Sequence, residues 1–94
     1  MQTQGSLTGL PGPGTATAVT AAQSFNFTPG QVVLLQASGG DVNIRAGAAS
    51  STPVATDFRI VQDAAPVAFR VTRNRTVLDA IGAGATLTYA IAGD

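Results

Sequence analysis

Gln31 to Gly47 reads QVVLLQASGGDVNIRAG: an apolar run, a Gly39-Gly40-Asp41 turn and a second run that alternates. In the second run Val42, Ile44 and Ala46 share one face and Asp41, Asn43 and Arg45 the other, the period-two pattern of a half-buried strand. The first run, Val32 to Leu35, is apolar at every position, which predicts a strand covered on both faces. Two strands around a tight glycine turn predict an antiparallel hairpin. So greasy a pair needs a covering sheet from the rest of the chain.

Outward from that stretch the same pattern recurs. Thr15 to Thr20 alternates Thr with small apolar residues and suits an edge strand. Ser24 to Thr28 places Phe25 and Phe27 on one face, and Thr28-Pro29-Gly30-Gln31 carries the Pro and Gly of a type II turn. After the small-residue loop Ala48 to Thr56, Asp57 to Val61 sets Phe58 and Ile60 together. Val67 to Thr72 turns Val67, Phe69 and Val71 inward. Arg73-Asn74-Arg75 is a turn whose Asn suits a left-handed backbone. In Thr76 to Ile81, Asp79 is costly to bury unpaired, so Leu78 is expected to face the core. Gly82-Ala83-Gly84 then leads to Thr86 to Ala92, with Leu87, Tyr89 and Ile91 on one side.

About eight short strands spaced by turn residues predict an all-β fold, a small antiparallel β-sandwich or β-barrel. At 94 residues the chain makes one domain. Residues 15–94 are assigned to it. Residues 1–14, rich in Gly, Pro, Gln and Thr, read as an extended N-terminal arm. Leu7, Leu10, Pro11 and Pro13 are its candidate partner-binding residues, apolar contacts on a rigidified backbone.

Charge narrows the function classes. Hydrophobic residues make up 45% of the chain and charged residues 11%, with five Arg, five Asp and no Lys, Glu, His or Cys. A soluble domain normally carries about a quarter charged residues, so this surface is expected to assemble with others. A GC-rich coding bias would also favour Arg over Lys, but it explains the low total less well. Without His, Cys, Lys or Glu the usual acids, bases and activated nucleophiles are missing, and the Asp residues lack calcium-loop spacing. No enzyme, cofactor or metal site is therefore expected.

Balanced charge argues against a nucleic-acid partner, and the absence of a long apolar run against a membrane one. The opening MQTQGSLTGLPGPG has neither a basic start nor an apolar core, so cytoplasmic synthesis is expected. Arg70, Arg73 and Arg75 form the one local concentration of charge. They are candidates for docking on an acidic surface through bidentate contacts.

The succession VNIRAG (42–47), STPVATDFRI (51–60), FRV (69–71), TVLDAI (76–81) and GAGATLTYAI (82–91) resembles a group of small tailed-bacteriophage virion proteins. There a V-x-V/I-R-x-G strand precedes a T-A-x-D-x-x-I segment, an F-x-V strand, a T-H-L-A-A-I-like strand and a G-T-A-T-L-Y-V ending. Val77-Leu78-Asp79 departs from that pattern where it often has His. The resemblance spans about Val32 to Ile91. It implies a non-enzymatic virion part made in the bacterial cytoplasm, a capsid decoration (cement) protein. Its expected partners are the major capsid protein and further copies of itself, a homotrimer being favoured. A neck, tail or adaptor component and a carbohydrate-binding module are the alternatives.

Overall fold

The structure, a computed structural model, describes residues 10–92. Eight strands follow in order: β1 (Thr15–Ala18), β2 (Gln23–Asn26), β3 (Val32–Ser38), β4 (Val42–Gly47), β5 (Phe58–Ile60), β6 (Val67–Arg70), β7 (Val77–Ile81) and β8 (Thr86–Ala92). They form two four-stranded antiparallel sheets, ordered β1-β8-β3-β6 and β2-β7-β4-β5. The sheets stay open at their edges, so the fold is a sandwich and not a barrel. β1 lies at a sheet edge, as its composition predicts.

The strand order has a simple origin. Folding the chain back at the β4–β5 loop lays β1 on β8, β2 on β7, β3 on β6 and β4 on β5, every pair antiparallel. The resulting ribbon then wraps so that successive segments enter opposite sheets, and β3·β8 and β4·β7 ladders join its turns. This is the strand order of an eight-stranded jelly roll.

One expectation is overturned: β3 and β4 are not a hairpin, because they lie in different sheets. Both edges of β3 are occupied, by β8 and β6, which leaves none for β4. The glycine turn is instead a corner between sheets. A Cβ on Gly39 (φ 76°) would lie 2.9 Å from the Gly84 carbonyl oxygen, and one on Gly40 3.0 Å from that of Ala83. The β3–β4 corner thus rests directly against the β7–β8 corner, at a separation only glycine permits.

Period two governs burial even so. Val33, Leu35 and Ala37 of β3 meet Val42 and Ile44 of β4, Leu78 and Ala80 of β7 and Leu87 of β8 in one core. Leu34 points outward and is half-buried, so β3 is covered on its second face only in part. At the β1/β2 side, Phe25 and Phe27 pack edge-on against Tyr89, with ring centroids 5.2 and 5.4 Å apart. The type II turn forms: Gln31 N–H donates to the Thr28 carbonyl at 3.1 Å and Gly30 takes φ 94°. Asn74, expected to suit a left-handed backbone, does not adopt one. Among the described residues the non-glycine position with positive φ is Asp63 (58°), where the chain turns between β5 and β6.

Leu78 faces the core as expected, and Asp79 is nevertheless just 4% exposed. Its side chain lies on the outer face of the second sheet beneath the β4–β5 loop, where the Ser24 and Ser50 hydroxyls donate to Oδ2 (3.1 and 2.7 Å) and Ser51 N–H to Oδ1 (3.2 Å). These donors offset the cost of removing a carboxylate from water.

Candidate functional site

The two sheets part on the β5/β6 side. β5 has three residues and pairs Val42 to Ile44 of β4, so the last part of β4 runs on without a neighbour on that edge. Ala46 occupies an inward position in the alternation yet is exposed, because it looks into the opening. A cleft of about 370 Å³ results, walled by Val33, Leu35, Ile44, Phe69, Val71 and Leu78. Phe58 and Phe69 stand at its side, rings 5.5 Å apart and perpendicular. Phe58 is 54% exposed although its register turns it inward.

The mouth of the cleft is cationic. Arg70 ends β6 and donates one Nη1 hydrogen bond to the Gly30 carbonyl at 3.1 Å. Arg75 lies across the tight Thr72–Arg75 turn, closed by Arg75 N–H to the Thr72 carbonyl at 3.1 Å. Both line the cleft together with Thr72. Arg73 is exposed within that turn. Among the described residues no carboxylate pairs with any of these three, whereas Arg45 binds Asp57 at 2.9 Å and Arg59 approaches Asp41 at 3.9 Å.

The arm residues lie apart from this mouth. Leu7 falls outside the described residues. Leu10 is 91% exposed, and Pro13 is exposed. Pro11 bridges Ala92, and Gly12 N–H donates to the Ile91 carbonyl at 2.8 Å, so the end of the arm prolongs the β1 edge along β8. Pro11 also lines a shallow groove of about 150 Å³ with Leu34, Pro66, Thr88 and Ala90 on the outer face of the first sheet.

The fold therefore brings Arg70 and Arg75 to one opening and leaves the proline arm at another. The cleft itself was not foreseen. Its one signal in the sequence is Ala46, a small residue closing the inward series of β4, and that reads equally well as tight packing.

Val54 and Val61 are about half exposed, like Phe58, and all three lie on or beside β5. Asp57 receives Val54 N–H at 2.7 Å and the Arg45 guanidinium, which together hold its carboxyl below the usual range against the opposing effect of partial burial. This pins the approach to β5. Comparison of the chain with known protein families, with curated proteins and with solved structures finds no match.

Proposed function

We propose that this chain is a bacteriophage virion structural protein, a capsid decoration (cement) protein that binds the outer surface of the major capsid protein lattice and stabilises the head. The observation that carries the reading is the character of the β5 side: exposed Val54, Phe58 and Val61, with Arg70 and Arg75 lining the neighbouring cleft and Arg73 exposed in the adjoining turn, none of the three paired with a carboxylate among the described residues. Exposed apolar side chains near exposed arginines suit a protein partner, since aromatic residues and Arg dominate binding hot spots. The low total charge and the resemblance described above support the same class. Self-association as a trimer would multiply weak contacts into firm attachment.

The test is reconstitution. Purified protein is mixed with capsids assembled without it, and both saturation stoichiometry and resistance to heat are measured. Saturation in proportion to the capsid subunits, with a raised disruption temperature, is the expected result. Saturation at a single vertex would assign the chain to the neck or tail. A protein that neither binds nor protects the shell would overturn the proposal.

A further inference from the structure

We propose that the cleft between the sheets is a binding site for an amphiphilic carboxylate, an unbranched acyl chain whose carboxylate is held at the mouth by Arg75. The site borders the surface proposed above for capsid attachment and shares Arg75 with it, but it takes a different ligand and does not rest on that reading. Its size falls within the range of small-molecule pockets, and at about 30 Å³ per water-sized group it has room for a body of roughly ten heavy atoms. Its walls are mainly apolar. Among the described residues no buried side-chain polar atom lacks a partner, so nothing in those walls asks for a hydrogen bond from a ligand body.

The polar demand lies at one end. Arg70 pairs Val32 on the outward side of β6 and gives its Nη1 to the Gly30 carbonyl, so the head-group donors come from Arg75, whose guanidinium carries five in a planar fork. Arg75 faces the same opening from the β6–β7 turn. A guanidinium at the rim of an apolar cavity, not neutralised by any described carboxylate, complements a single anionic head on a hydrocarbon body. The missing length of β5 supplies the entrance. Ala46, exposed at an inward position, marks where the chain of the ligand would enter.

The experiment is calorimetric titration of the full chain with decanoate, kept below its micelle concentration, beside decan-1-ol and decyltrimethylammonium, with amide-resolved NMR to locate the contact. Saturable one-site binding of decanoate is expected, at least about tenfold tighter than that of the alcohol, as a charge-assisted hydrogen bond warrants. Amide shifts should centre on Ala46, Phe69, Val71 and Leu78. Arg75→Gln, an exposed position that leaves folding intact, should weaken binding about tenfold, and Ala46→Phe should block it by filling the opening. Equal affinity for decanoate and decan-1-ol would overturn the proposal, as would full binding by Ala46→Phe or shifts confined to the Leu34 and Pro66 groove. If decanoate fails to bind while Arg75→Gln abolishes capsid attachment, the guanidinium groups serve the protein partner alone and the ligand site is wrong.

Discussion

Arg45 and Asp79 stand directly opposite each other across the β4·β7 ladder and form no ion pair. Each reaches into the β4–β5 loop instead, Asp79 accepting in addition from Ser24 of β2. Arg45 Nε binds Asp57 at 2.9 Å and its Nη1 donates to Ser51 Oγ at 2.9 Å, while Asp79 collects Ser50 and Ser51. A cross-strand charge pair would have stiffened two strands that already pair. Divided in this way, the same two charges fasten a loop of small residues over the outer face of the sheet.

Asp79→Asn should therefore loosen that loop. The amide keeps the volume but loses one acceptor oxygen and the charge, leaving Ser50 or Ser51 short of a partner at a cost of about 1–3 kcal/mol. Urea unfolding measures the loss, and hydrogen exchange should quicken at Ser51 and its neighbours while the β3·β8 ladder stays protected. Uniform quickening throughout the sheets would refute a local role.

Acid should release the clasp at Asp57. Its carboxyl is held below the ordinary 3.8, chiefly by the Val54 N–H and then by Arg45. A depressed folded-state value means that the contribution is complete above about 3.8 and fades as pH falls through the lower folded value. The stability gap between the native chain and Asp57→Asn should be constant from pH 7 to about 5 and shrink below about 4. Urea midpoints across that range check it, and a gap unchanged down to pH 2 would contradict the assignment.

The eight strands and their faces were legible because alternation is a local property. Phe58 with Ile60, and Val67 with Phe69 and Val71, could be placed from spacing alone. Pairing was not legible. A strand leaving a Gly-Gly turn shows the same alternation whether it returns beside its predecessor or crosses to the opposite sheet, and for β3 the choice was made by β8, some fifty residues downstream. The burial of Asp79 on the outer face was not legible either: its donors come from Ser24 and Ser50, which nothing in the local pattern ties to it.

Two glycines should respond differently to alanine. At Gly82 a Cβ would run into the Asp41 carbonyl oxygen where the two corners stack, so Gly82→Ala should cost about 1–3 kcal/mol by overpacking. At Gly30 the space is open and the penalty is conformational, about 1–2 kcal/mol for a residue forced to φ 94°. Larger side chains separate them: Gly82→Val should worsen the defect sharply, while a small polar residue that tolerates left-handed backbone, Gly30→Asn, should recover most of the loss. Thermal unfolding of the four variants is the measurement.

Phe58 and Leu35 should separate binding from folding. Leu35 is 2% exposed and central to the core, so Leu35→Ala is expected to cost about 2–5 kcal/mol. Phe58→Ala forfeits little burial and one edge-on contact with Phe69, about 0.5–1.5 kcal/mol. Attachment to capsids should nonetheless fall more for Phe58→Ala than for any core variant that still folds. Equal attachment by native protein and Phe58→Ala would remove β5 from the interface.

A ribbon doubled back at its middle also sets a timetable. Thr15 finds its ladder partner at Tyr89, so during synthesis the first strand must wait, unpaired, until the last has left the ribosome. Of all the ladders, β4·β5 alone joins strands adjacent in sequence, and closure should begin there and proceed toward both ends. The β1·β8 ladder is sealed last and opens first, which places the end of the proline arm, clipped onto Ile91 and Ala92, at the point where a nascent or assembling molecule is most easily peeled apart.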